Sequence, residues 1–175
     1  MKNITRWTVD PMHTSIAFVV RHLLITNVRG VFDDVSGTVT YAPNDIASSS
    51  IAIDIPVKSI DTRQAQRDAH LRSPEFFDAE NHPTITFRST RVSEHEILGE
   101  LTMRGVARPV TLNVVEITSE TKDHRGLTRM GASATAKVKR SEYGMTYNPV
   151  LEAGGVAVAD EIAVTLDLSL VKSAD

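Results

Sequence analysis

The residues best suited to proton chemistry near neutral pH are six histidines, His13, His22, His70, His82, His95 and His124. No two of them stand at a short metal-ligand spacing, so no metal site is expected. The chain has no cysteine, which removes thiolate nucleophiles and disulfides. It also lacks a Gly-rich phosphate loop, a nucleophile elbow and a helical His-Glu-x-x-His pair. Two acid–base arrangements remain: His70 with Asp68, or His22 with a carboxylate brought from elsewhere in the fold. His22 has the parity of Ile16, Phe18 and Val20, so its imidazole is expected to point inward, either bonded within the core or as a polar anchor for a ligand. His13 follows Asp10-Pro11 in a turn, where it either holds the turn or meets a ligand head group. His95 and His124 fall in turns and read as solvated side chains.

The elements that carry these residues are strands. Apolar side chains occupy alternate positions in Ile16, Phe18 and Val20, and again in Ile51, Ile53, Ile55 and Val57. The clearest run is Ile162, Val164, Leu166, Leu168 and Leu170, which alternates with Ala163, Thr165, Asp167 and Ser169. Weaker alternation marks Ile85 to Phe87, Leu101 to Met103 and Val110 to Val114. Turn-rich segments separate these runs at 43–50, 93–96, 104–109, 119–126 and 148–155. Between Val28 and Tyr41 the alternation changes phase, and a bulge near Asp33 and Asp34 would restore it.

About eight strands joined by turns predict an all-β fold, and closure into an antiparallel barrel is favoured because the last strand is too apolar to lie at an open edge. In the run 132–140, Ala132, Ala134, Ala136 and Val138 share one parity and are small, which favours an internal cavity over a filled barrel. One short helix is expected at 64–72, with Asp61 and Thr62 as capping candidates and Ser73-Pro74 as its stop. The segment 61–77 reads as a lid: Leu71, Phe76 and Phe77 cover a barrel mouth, while Arg63, Arg67 and Arg72 face water or pair with Asp68 and Glu75.

Composition is that of an ordinary globular domain, with 41% hydrophobic and 23% charged residues over 175 positions, and a single domain spanning 1–175 is expected. A net charge of -3 without blocks of like charge gives no footprint for nucleic acid. The N-terminal residues hold no signal-peptide stretch and no segment approaches transmembrane length, so a cytoplasmic protein is expected.

The chain resembles the YceI-like, polyisoprenoid-binding proteins along essentially its whole length. The resemblance rests on Trp7-Thr8-Val9-Asp10-Pro11, His13, Ser15 and Phe18 with Val20-Arg21-His22. It continues through Ser59-Ile60-Asp61-Thr62, Arg67-Asp68-Ala69-His70-Leu71 and Ser73-Pro74-Glu75-Phe76-Phe77-Asp78, then Pro83 to Phe87, Gly99 to Gly105 and Arg140-Ser141-Glu142-Tyr143-Gly144-Met145. It implies an extended eight-stranded, lipocalin-like antiparallel barrel with one or two short helices, often a homodimer, holding a polyprenyl chain, a quinone tail or another long lipid. No cofactor beyond that lipid and no catalytic residue is implied. Phe18, Val20, Phe32, Val39, Ile53, Phe87, Leu101 and Leu166 are then expected to line the lumen with Met145, beneath Leu71, Phe76 and Phe77. A head group would sit near His13, His22, Arg67 or His70. Ala17 and Val19 depart from the polar residues common in relatives, and a dimer contact would explain them. Two other readings stand beside the carrier: a lipid- or quinone-modifying enzyme using His70 or His22, and an interaction protein with a filled barrel.

Overall fold

The computed structural model describes residues 3–174. Among these, the strands are β1 (Thr5–Val9), β2 (Ser15–His22), β3 (Thr26–Phe32), β4 (Ser36–Tyr41), β5 (Ser50–Pro56), β6 (Ile60–Asp61), β7 (Thr84–Val92), β8 (Glu96–Met103), β9 (Val106–Ile117), β10 (Thr121–Lys122), β11 (Thr128–Lys139) and β12 (Glu161–Lys172). The α-helix α1 (Ala65–Arg72) lies between β6 and β7. Three pairs of strands, β1 with β2, β3 with β4 and β5 with β6, act as long strands broken by an elbow. Each half keeps its place beside the next broken strand, since β2 pairs with β3, β1 with β4, β4 with β5 and β3 with β6.

The walls continue antiparallel through β5, β7, β8, β9, β11 and β12. β12 then pairs with both β1 and β2, placing Trp7 opposite Lys172 and Ala17 opposite Thr165, and so closes an eight-stranded barrel. Closure follows from the apolar parity of β12, whose Val164, Leu166 and Leu170 turn inward while Thr165 and Asp167 are exposed.

Two expectations about the strands are corrected. The phase change between Val28 and Tyr41 is a break at 33–35 rather than a bulge within one strand. It leaves Phe32 and Val35 both buried, and it bends the chain so that β3 and β4 meet different partners. The segment 104–109 is not all turn, because only Arg104 and Gly105 form the hairpin and β9 starts at Val106. Both hairpin residues have positive φ, 51° and 71°, as a two-residue turn of this hand requires. Pro109 is tolerated inside β9 because that strand pairs there with β8 alone; its pairs with β11 begin only at Asn113. The remaining side of β9 is covered by the 3₁₀ segment Arg140–Tyr143, whose Tyr143 is buried.

The elbow between β1 and β2 is fixed by charge. The Asp10 carboxylate accepts from the Met12 amide at 3.1 Å and from His13 Nδ1 at 2.7 Å. Arg129 reaches Asp10 and Asp123 at 2.6 Å each, tying the elbow to the turn between β10 and β11. The guanidinium of Arg129, with His13 beside it, holds the Asp10 carboxyl down at about 2. Arg129 together with backbone amides brings Asp123 to about 2 as well.

Candidate ligand-binding cavity

Two chambers lie end to end inside the barrel. The first, about 140 Å³, is walled by the halves of β4, β5, β7, β8, β9, β11 and β12 farthest from α1, and it contains Val39, Ile53, Phe87, Leu101 and Leu166. The second, about 150 Å³, lies under α1 and takes in Phe18, Val20, Phe32, Leu71, Phe76, Phe77, Leu101 and Met145. Both are apolar throughout: Tyr41, three serines and Arg140 are the lining residues with polar side chains, and no polar atom faces the second chamber. An apolar cavity of about 150 Å³ stays dry and accepts apolar guests.

The lumen exists because β11 is thin. Ala132, Ala134, Ala136 and Val138 all line it, opposite the larger Ile53, Phe87 and Leu101. The same parity carries on to Arg140, which reaches the second chamber and is 6% exposed. Its guanidinium nitrogens turn away from the lumen and donate to the carbonyls of Met145, Tyr147, Val158 and Ala159 at 2.7–3.1 Å. Burial lowers its pKa, and the nearby Asp160 partly offsets this. The loop 145–159 is thereby fastened beneath the barrel, where Met145 and Val158 add to the chamber wall. Tyr143, on the same turn, is pushed up to about 12, chiefly by burial.

The segment after α1 closes this end. Phe77 stacks edge-on against Phe32 at 6.0 Å, and Phe32 meets Phe18 at 5.7 Å. Phe76 packs under His70 and Tyr147, with ring centroids at 5.0 and 5.4 Å. Arg104 joins this segment to the loop below by donating to the Phe76 and Gly144 carbonyls. Gly30 has its own reason in the wall: a Cβ there would sit 2.3 Å from the Phe18 ring, so only glycine lets that ring lie flat across the neighbouring strand.

The four polar candidates for a head-group site are not brought together, and none lines either chamber. His13 is on the outside, bonded to Asp10 and bordering a shallow polar groove with Ser15, Glu116, Ser133 and Asp167. His22, expected to point inward, ends β2 half-buried at a bridge to Val158. Arg67 donates to the Thr62 hydroxyl and carbonyl, each at 2.7 Å. His70 pairs with Glu75.

The acid–base pairing of His70 with Asp68 is not formed. Asp68 is buried and accepts from the Thr62 amide and hydroxyl, stapling α1 to the strand before it. This corrects the expectation for Asp68; among the lid arginines Arg63 and Arg67 are exposed as expected, and Arg72 alone turns inward, to the Ile60 carbonyl at 3.3 Å. Gln64, rather than Asp61 or Thr62, caps the helix. Among the described residues, no group of three or more His, Asp and Glu could hold a metal ion, and no helix is long and apolar enough to cross a membrane.

Residues 7–170 match the model of the YceI-like domain. The chain belongs to this family. A UPF0312 protein of Staphylococcus aureus is 32% identical over 160 residues, which is 91% of this chain and 93% of that protein. Among solved structures of the YceI-like fold, BcnA of Burkholderia cenocepacia superposes with a TM-score of 0.77 at 22% identity, over 92% of this chain and 98% of that one. A polyisoprenoid binding domain from Saccharophagus degradans superposes with a TM-score of 0.68 at 15% identity, over 95% and 98%. At these identities the two structures speak for the shared barrel alone.

Several lining residues were not singled out from sequence: Ile16, Ile55, Ile85, Met103, Leu112 and Met130 among them. For Ile16, Ile55, Ile85 and Met103 the parity of their strands held the signal, whereas Met130 lies near the start of β11, ahead of the run of small residues read from sequence.

Proposed function

We propose that the lumen binds the tail of a long-chain isoprenoid lipid, of the polyprenyl or quinone type, and holds it for transport, storage or sequestration. The observation that carries this reading is the pair of apolar chambers that share five wall residues, the first of them lined by the alanines of β11. Each CH₂ moved from water into such a space gains about 0.8 kcal/mol, part of which is offset by ordering the tail. The likeness of the barrel to a domain described as polyisoprenoid binding agrees with it.

Binding is favoured over catalysis because the lining offers little to move protons with. Of its ionisable side chains, Arg140 is committed to backbone carbonyls and Tyr41 sits at the far end, beside Ile46. The test is native mass spectrometry of freshly purified protein, followed by organic extraction. A non-covalent lipid mass is expected. Protein that carries none, and that takes up no polyprenol from vesicles, would overturn the reading.

A further inference from the structure

The two chambers share five lining residues, Ile16 on β2, Ile55 on β5, Leu101 on β8, Val138 on β11 and Val164 on β12. These strands are spaced around the barrel wall, so the five side chains form a ring where one chamber gives way to the other. Resting on the lipid-lumen reading above, we propose that this ring measures ligand length: a tail long enough to thread it fills both chambers as one molecule, and shorter apolar molecules occupy the chambers separately.

Three observations support the ring as the measuring element. Each chamber alone is about the size that admits a ring-sized apolar guest, so neither can accommodate a long tail without the other. No polar atom faces the chamber under α1, so head-group chemistry gives that end nothing to select by, and shape is left as the discriminator. The ring members are aliphatic and come from separate walls, so widening or narrowing the passage needs only one side chain. Leu101 and Val164 are half-buried and packed against the core, so a phenyl ring in place of either narrows the passage.

The experiment compares a longer polyprenol, geranylgeraniol, with a short one, geraniol, on delipidated full-length protein, by native mass spectrometry and by competition against a fluorescent apolar probe. Wild type is expected to take a single geranylgeraniol or a pair of geraniols. In Val164→Phe, and independently in Leu101→Phe, geranylgeraniol affinity relative to geraniol is expected to fall roughly tenfold or more, as insertion into a close-fitting passage implies. Thr165→Phe, with an exposed side chain on the same strand, serves as the bulk control and should leave that ratio where it was. If wild type binds both alcohols but both ring variants keep the wild-type ratio, or if geraniol never exceeds one per chain, the measuring role is overturned while the lumen stands. If wild type binds neither, the lumen reading itself fails and the measuring role with it.

Discussion

Arg140 shows how a charge can be buried beside an apolar lumen without facing it. Its four side-chain hydrogen bonds go to backbone carbonyls of the loop below. Removing it leaves buried acceptors unpaired, so Arg140→Met is expected to destabilise the fold by about 3 kcal/mol or more in urea unfolding. Arg140→Lys should recover little of this, because an ammonium cannot reproduce the planar fork. A second residue-scale prediction concerns the elbow at Asp10. That carboxyl titrates at about 2 when folded against an ordinary value of 3.8, so its stabilising contribution is complete above the higher value and is lost as pH falls toward 2. The melting temperature measured across this acid window should fall less steeply in Asp10→Asn than in wild type, and the variant should be the less stable of the two at neutral pH.

At the scale of single elements, β11 and the segment around α1 decide whether the barrel is full or hollow. Ala134→Leu projects an isobutyl group into the first chamber, where it meets void rather than packed atoms. Chemical denaturation is expected to find this variant no less stable than wild type, while uptake of a polyprenol falls roughly tenfold or more. Gly30→Val acts from the wall: it drives the Phe18 ring off its neighbour and into the second chamber, so bound lipid recovered by extraction should decrease. The thinness of β11 was legible in the sequence, because Ala132, Ala134 and Ala136 fall on one parity and parity decides facing in a strand. The lid aromatics were legible too, from a helix stop followed at once by Phe76 and Phe77. The histidines were not, because parity says which face a residue occupies and nothing about its depth along the barrel. His22 has the right face but stands at the end of its strand. Asp68 was misread because a carboxylate that accepts from Thr62, six residues back, leaves no periodic trace.

On the scale of the whole molecule, the lumen is closed at one end by Phe76, Phe77 and the loop that Arg140 and Arg104 hold in place. Phe77→Ala removes the ring that braces Phe32, and stopped-flow transfer of lipid to acceptor vesicles is expected to be faster than in wild type, with slower release counting against a lid. The other feature of this scale is the seam. β1 and β12, from opposite ends of the described chain, are zipped together by Trp7 opposite Lys172 and Val9 opposite Leu170, and fastened outside by the Ser173 amide on the Arg6 carbonyl. Every other contact between long strands joins neighbours along the chain; this one spans nearly all of it and carries the largest loop-closure cost. A nascent chain therefore presents an open, curled sheet with its greasy face exposed until both extremities have met. Hydrocarbon present at that moment would be enclosed as the wall shuts, so the proposal that the lumen holds a lipid brings with it a route of loading by assembly.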